Sequence, residues 1–537
     1  MLVQRSPVAA RIAARVCLCL ALTAAPSVGA QAFDVVESTI ASTQAALAAG
    51  RVTCRAVVQQ YLDRIAAYDQ TGPTLNAIEH VNARALDEAD SLDAVQRARG
   101  PRGSLHCVPV LLKDQVETRD MPTTYGSALF KNFISQRDAT IVARLEAAGA
   151  IILAKTTMGE FAARYVGSGS GIIRNAYDPT RNPSGSSGGS ASGVAANFGL
   201  VGIGEDTGGS IRGPAAVSSL VGLRPTLSLV SRFGMMPANP TQDTMGPMTR
   251  TVADAARVLD VIAGYDPNDP ITAETVGRVP PSYTAALRAD ALRGARLGVI
   301  RRAVDTTTIS DTSVADSARR RIRVEYADVR AVMDRAIADL RAAGAVVVDS
   351  FVIPALAQRR VGNDFETEQA TDRYLAQHPN APVRTLKEIL LAGTVNPWRA
   401  RGLIDAVGKT TNDPGYLTVM QQREALRVGV LKAMADAKLD AIVYATYDAP
   451  TTPIATDVLT NPRPNDAYGR GDNRGLSPAL GFPALTVPAG FTADALPVGL
   501  ELLGRPFTEA QLLSYGFAYE QATKHRRPPP LTPKLPR

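Results

Sequence analysis

Residues 182–212 read N-P-S-G-S-S-G-G-S-A-S-G-V-A-A-N-F-G-L-V-G-I-G-E-D-T-G-G-S-I-R, and V-L-L-K-D-Q occupies 110–115 upstream. Ser186 and Ser210 each sit beside glycines, whose missing side chains let backbone approach backbone or a ligand closely. Successive N–H groups in such a loop can bind an oxyanion. Lys113 ends an apolar run, Val108 to Leu112, that reads as a buried strand. A lysine held there loses hydration, its charged form is disfavoured, and it becomes a base near neutral pH. Such a set of residues can make a nucleophile. Each piece has a plainer reading alone: G-S-S-G-G-S as a flexible linker, Lys113–Asp114 as a surface ion pair at a strand end. The residues before the lysine are apolar rather than alternating, which favours the buried base. Asp206 and Arg212 are expected to pair and hold the second loop in shape.

These residues resemble the amidase signature family, in which a Ser-Ser-Lys triad stands in place of Ser-His-Asp. The resemblance implies that Ser210, in D-T-G-G-S-I-R, is the nucleophile and Lys113 the base. Ser186, in G-S-S-G-G, is then the bridging serine, preceded by a cis peptide bond, with Ser187 as structural support. The backbone N–H groups of Thr207, Gly208, Gly209 and Ser210 correspond to the oxyanion hole. Further stretches are similar to the family: G-S-L-H-C-V-P-V-L-L-K-D-Q from 103, A-K-T-T-M-G-E-F from 154, L-V-G-L-R-P-T from 220 and G-F-P-A-L-T-V-P-A-G from 481. The likeness thus covers about 50–265 and 440–525. Two departures stand out. Glu205 occupies a place where the family usually has a small or hydroxyl residue, and Ser184 replaces a usual glycine.

The resemblance implies an α/β/α sandwich around a large mixed β-sheet and hydrolysis of a small-molecule carboxylic amide through an acyl-enzyme, with no cofactor and no metal. An esterase or carbamate hydrolase of the same family, or the ammonia-producing component of an amidotransferase, is the alternative. A binding protein on a decayed enzyme fold is a third reading, against which the intact Lys113, Ser186 and Ser210 speak. The residues that resemble the family's pocket wall are Met121, Thr123, Tyr125, Met158, Phe161, Leu480 and Phe482, a mostly apolar set. With no lysine or arginine placed to meet a carboxylate, an uncharged acyl group is expected; Arg164 or Arg174 would be the charge partner otherwise.

A rival serine hydrolase is also spelled out, since Gly185, Ser187 and Gly189 satisfy the G-x-S-x-G elbow of α/β-hydrolases. That elbow follows a buried strand, whereas N-A-Y-D-P-T-R-N-P-S at 175–184 is polar and broken by two prolines. It also needs a late histidine, and neither His378 nor His525 reads as buried beside an acid. No H-E-x-x-H, paired C-x-x-C or P-loop motif occurs. His106 and Cys107 read as packing.

The chain has 537 residues, 45% of them hydrophobic and 20% charged, enough to bury a large core. Arg5, Arg11 and Arg15 precede the apolar stretch Val16 to Ala25, and S-V-G-A-Q-A offers cleavage after Ala30 or Ala32. This reads as a bacterial secretory leader over 1–30 rather than a buried helix, and places the mature protein in the periplasm or outside the cell. The remaining single domain, 31–537, is expected to hold a signature core at about 100–265 and a helical cap at about 355–415, with the sole tryptophan, Trp398. The mild positive excess has no clustered basic face, so nucleic acid is not expected as a partner, nor a membrane after cleavage. A monomer or homodimer is expected. Cys54 and Cys107 read as two free buried thiols, a disulfide in an oxidising compartment being the alternative. Helices over 139–150, 329–343 and 421–438 each lead into an apolar strand, the alternation of an α/β sandwich. Residues 266–292 and 302–318 read as surface connections, and the basic run at 317–324 as a solvated helix face.

Overall fold

In a computed structural model of the chain, residues 33–301, 316–349, 351–353, 363–464 and 473–536 are described, with the backbone alone at 316–325. The expected leader, most of the 302–318 connection and the side chains of the basic run lie outside these limits.

The strands β1 (Ile78–Val81), β2 (Val108–Lys113) and β3 (Ala150–Thr156) precede a small hairpin of β4 (Val166–Gly167) and β5 (Gly171–Ile172). Then come β6 (Val201–Asp206), β7 (Val221–Arg224), β8 (Thr244–Thr249), β9 (Arg296–Val299) and β10 (Val346–Val348). The last three are β11 (Ala441–Ala445), β12 (Ala484–Phe491) and β13 (Pro497–Leu503). Among the described residues, eleven form one sheet in the order β1-β3-β2-β6-β8-β7-β12-β13-β11-β9-β10. The runs β3-β2-β6 and β11-β9-β10 are parallel and the other pairings antiparallel. The sheet is therefore mixed.

β2 is buried along its whole length because parallel neighbours flank it and helices cover both faces, so its sequence is continuously apolar up to the lysine. Pro109 is tolerated in this central strand because the ladder to β6 starts only at Val110, and the proline carbonyl still accepts from Leu200 N at 3.0 Å. On one face Leu485 and Val487 of β12 lie against Gly516 of the helix Glu509–Thr523. On the other, Gly499 of β13 lies against Ala216 of the short helix Arg212–Ala216. The result is an α/β/α sandwich. Leu111 packs on Gly193 of the helix Gly188–Ala195, and Lys113, two residues on, projects to that same face.

The helix expected over 139–150 runs Thr140–Ala147 into β3. Those expected at 329–343 and 421–438 are longer, Asp316–Ala342 and Pro414–Asp436, the second entered through a proline at its first position. The helices Thr367–Ala376, Leu386–Leu391 and Pro397–Ile404 lie in the expected cap. Their Tyr374, Leu375, Leu386, Ile389 and Leu403 pack on Tyr125, Phe130, Phe133, Phe161 and Met236 of the core. Tyr125 meets Phe130 and Tyr374 edge to face at 5.1 and 5.9 Å between ring centres.

The expectation of two free thiols is corrected. Cys54, which opens the helix Cys54–Tyr68, and Cys107, the residue before β2, form a disulfide with a Cα–Cα distance of 5.6 Å. The pairing depends on that helix lying at the entry to the strand, which a separation of 53 residues does not reveal. Among the described residues no helix is long and apolar enough to cross a membrane.

Candidate active site

Adjacent parallel strands β2 and β6 end side by side, delivering Lys113 from one and Glu205-Asp206 from the other. Lys113 Nζ donates to Ser186 Oγ at 2.7 Å, to Glu205 Oε2 at 2.8 Å and to the Glu205 carbonyl at 3.3 Å. All three residues are fully buried. Burial pulls the Lys113 ammonium below the ordinary lysine value, while the charges of Glu205, Asp206 and Asp243 work in the other direction. The surface-pair reading of Lys113–Asp114 does not apply, because Asp114 turns to the buried Lys155 at 3.2 Å.

The serine-rich stretch sorts its hydroxyls. Ser187 donates to the Glu205 carbonyl at 3.1 Å, Ser190 to the Ile203 carbonyl at 3.1 Å and Ser192 to the Arg174 carbonyl at 2.8 Å. Ser184, at φ +64°, meets the Tyr447 hydroxyl at 2.6 Å. Of these serines Ser186 is the one that meets a charged side chain. The Gly185–Ser186 peptide bond is cis, and a Cβ at 185 would lie on the Arg164 carbonyl oxygen, so only glycine fits there. The Ser186 carbonyl accepts from Gly159 N at 3.1 Å, tying the loop to the segment after β3. No strand enters this loop and the Ser187 hydroxyl is tied to backbone, which removes the elbow that the rival hydrolase needs.

Ser210 lies in the turn between β6 and the helix Arg212–Ala216 and, unlike Lys113 and Ser186, keeps some solvent contact at 9% exposure. Asp206 shapes that turn: Oδ1 accepts from Gly209 N at 2.7 Å, and Oδ2 from Ile211 N and Arg212 Nε, both at 3.1 Å. Burial would raise this carboxyl, but the guanidiniums of Arg212 and Arg224 hold it well below its ordinary value. Arg212 also reaches Glu501 of β13 and the Arg474 carbonyl, pinning the turn to the sheet. The expected oxyanion set needs one correction. The Gly209 N–H is spent on Asp206, which leaves Thr207, Gly208 and Ser210 as candidate donors. Gly209 sits at φ +119° with the Arg474 side chain against it.

Thr207 Oγ1 lies 2.6 Å from Glu205 Oε1 and 2.7 Å from Asp243 Oδ1. Asp243 borders a cleft of about 320 Å³ that Arg232 and Arg373 also line. Burial, and next the charge of Glu205, push the Asp243 carboxyl up to about 7.

Of the expected pocket wall, Tyr125, Met158 and Phe161 do line one small cavity, with Gln115, Met236 and Leu403. Met121 does not: it lines a groove elsewhere, beside Arg119 and Glu146. Thr123 Oγ1 accepts from Lys155 at 3.0 Å. Leu480 and Phe482 pack with Leu439, Ile442 and Tyr444 in a separate cluster. The expectation of a wall without a cation is also corrected. Arg399, from the cap helix Pro397–Ile404, borders the cavity, its Nη2 donating to the Phe161 carbonyl at 2.8 Å and its buried Nε finding no hydrogen-bond partner. Burial lowers it to about 10. Arg164 instead stacks over Trp398 at 4.8 Å, and Arg174 donates to the Pro179 carbonyl.

The reading of the late histidines is overturned in part. His378 is buried, with Nε2 2.8 Å from the buried Glu117, and His525 lies 3.0 Å from Asp339. Glu117 also takes Arg137 Nε at 2.5 Å and the Tyr374 hydroxyl, which in turn accepts from Tyr125. Sequence reasoning missed this network, since Tyr374 and His378 lie in a stretch without motifs. Glu205 was visible as a second carboxylate beside Asp206; its pairing with Lys113 was not.

The family model for amidases matches residues 56–513. A probable amidase of Arabidopsis thaliana is 32% identical over 524 residues, spanning 93% of this chain and 92% of its own. The A-type component of the glutamyl-tRNA(Gln) amidotransferase of Thermosynechococcus vestitus is 33% identical, over 88% of this chain and 96% of its own. Among solved structures, the native peptide amidase from Stenotrophomonas maltophilia matches with a TM-score of 0.78 at 36% identity, covering 92% of this chain and 98% of that one. With a family match over residues 56–513 and relatives aligned over about nine-tenths of its length, this chain belongs to the amidase signature family and is an amide-hydrolysing enzyme.

Proposed function

We propose that the enzyme cleaves a small-molecule carboxylic amide, a C-terminal peptide amide among the candidates, through Lys113, Ser186 and Ser210. The observation that carries this reading is the 2.7 Å contact between Lys113 Nζ and Ser186 Oγ, both fully buried. Neutral Lys113 draws the proton from Ser186 as Ser186 draws that of Ser210, and Ser210 Oγ bonds to the carbonyl carbon. The negative charge that develops on the carbonyl oxygen meets N–H groups of Thr207, Gly208 and Ser210; one such donor contributes about 3 kcal/mol. The relayed proton passes to the nitrogen, the C–N bond breaks, ammonia or an amine leaves, and water repeats the sequence on the acyl-enzyme. An amine can serve here where a guanidinium could not, because it exists neutral in a desolvated site.

The likeness to peptide amidase supports the amide over the ester or carbamate reading. An ammonia-producing amidotransferase component remains the second reading, favoured by the 33% identity to the Thermosynechococcus vestitus protein. Against it stand the leader at 1–30 and the Cys54–Cys107 disulfide, a bond that persists in oxidising compartments. Both features support export to the periplasm or beyond, as a monomer or homodimer. N-terminal sequencing of the periplasmic protein tests the leader: a chain starting near residue 31 is expected. Ser210→Ala tests the nucleophile. It should fold, release no amine from a panel of amides and take no fluorophosphonate label, whereas a label that persists or maps to Ser187 overturns the assignment.

A further inference from the structure

One hydroxyl hydrogen cannot serve two carboxylates. Thr207 Oγ1 stands at hydrogen-bond distance from both Glu205 Oε1 and Asp243 Oδ1, 2.6 and 2.7 Å, and has a single hydrogen to donate. The remaining contact needs a proton from the carboxyl side, so one of the two acids is protonated. Glu205 faces the Lys113 ammonium at 2.8 Å. Asp243 has no such cation, since the nearby Arg232 is turned to Asp269 at 2.8 Å. The Asp243 Oδ2 accepts from Ala238 N and Asn239 N, each at 2.8 Å, with Asn239 N reaching Oδ1 at the longer 3.0 Å, so the proton is placed on Oδ1. The order is then Asp243 O–H to Thr207 Oγ1, Thr207 O–H to Glu205 Oε1, and Lys113 N–H to Glu205 Oε2.

We infer that Glu205 is a positioning residue for the base: it holds Lys113 Nζ against Ser186 and, with a proton kept on Asp243 across Thr207, sets how readily Lys113 gives up its own. The inference rests on Lys113 acting as the base. The other charges around Lys113 are compensated in place. Asp206 faces Arg212 and Arg224, and Asp114 faces Lys155. Glu205 is thus the carboxylate that touches Lys113 directly, Arg224 acting on it only without contact, and the raised Asp243 fits the proton placed on it.

The test is the pH profile of kcat/KM for amide hydrolysis in Glu205→Gln, Glu205→Thr and Glu205→Asp, with Lys113→Ala alongside. Removing the carboxylate should move the acidic limb down by at least about one pH unit in the Gln and Thr variants, while Asp keeps it near the parent. Plateau kcat should stay within about tenfold of the parent. The Thr variant covers a Gln variant that does not fold, because a small hydroxyl residue leaves the site uncrowded. A limb unmoved in folded variants, with Lys113→Ala inactive, overturns the role of Glu205 alone. Activity that survives in Lys113→Ala removes the base reading and this inference with it. Infrared difference spectra supply a readout apart from turnover: Asp243→Asn should lose a buried carboxylic-acid band that the parent shows at pH 6, and an unchanged spectrum overturns the shared proton.

Discussion

Lys113 and Glu205 form an ion pair with no solvent contact, Nζ to Oε2 at 2.8 Å, where strands β2 and β6 end together. A buried pair of this kind stabilises little as a pair, but loss of one partner strands the other in a low-dielectric site, at about 3–5 kcal/mol. Lys113→Met should therefore lose both turnover and that much stability. The double variant Lys113→Met, Glu205→Leu should regain stability without regaining turnover. Denaturant unfolding of the set, read as a double-mutant cycle beside amide hydrolysis, checks both halves.

Lys113→Arg keeps a charge near Ser186 but no neutral form, so it should be inactive throughout the pH range while Lys113 itself titrates. In the parent, burial holds Lys113 below ordinary lysine, so kcat/KM should rise as pH rises through that lowered value and then level off. A limb at the histidine value that persists in Lys113→Ala would contradict the lysine base.

Asp243 gives stability a slope of the opposite sense. Its folded value of about 7 lies above the unfolded value of about 4, so the folded protein binds a proton that the unfolded chain has released. The contribution is complete below pH 4 and is lost as pH rises through 7. Asp243→Asn should flatten the fall in stability between about pH 4 and 7, measured by urea unfolding at fixed ionic strength.

The disulfide closes a loop of 53 residues between a helix start and the entry to the strand that carries Lys113. Reduction, or Cys54→Ser with Cys107→Ser, should cost about 2–5 kcal/mol. Turnover at low temperature should survive, since Cys107 stands at the opposite end of β2 from Lys113. Thermal unfolding with and without reductant, followed by assay, decides it.

Arg399 carries the substrate prediction. The cavity it borders with Tyr125, Met158 and Phe161 lies beside the segment whose Gly159 N–H holds the Ser186 carbonyl. Arg399→Met should lower kcat/KM for amides with a carboxylate near the scissile bond by about 1–3 kcal/mol relative to matched neutral amides. An equal change for both sets would make Arg399 a packing residue.

Much of this was legible in sequence for a physical reason. A strand buried between parallel neighbours must be apolar throughout, so Val108–Lys113 announced itself, and the glycines at 185 and 209 mark places where backbone or a side chain presses close. The resemblance then assigned Ser186 and Ser210 among several serines that composition alone could not rank. What stayed hidden depends on distant packing. Cys54 meets Cys107 only when its helix is laid down, Gly209 spends its N–H on a carboxylate three residues back, and Phe482 turns to Tyr444 rather than to the Tyr125 cavity. Glu205 could be seen as odd, but not that its carboxylate would fall on the lysine.

Tyr374 ties the helix Thr367–Ala376 to the interior by its hydroxyl bond to Glu117, which Arg137 and His378 also hold. The segment over the cavity is thus not a removable module. A chimera that imports this helix from a relative would inherit a carboxylate with its partners missing unless residues 117, 125 and 137 travelled with it. Changes of substrate range by exchange of this region would then proceed through paired substitutions on both sides of the seam, and libraries confined to 363–404 would mostly yield unstable proteins.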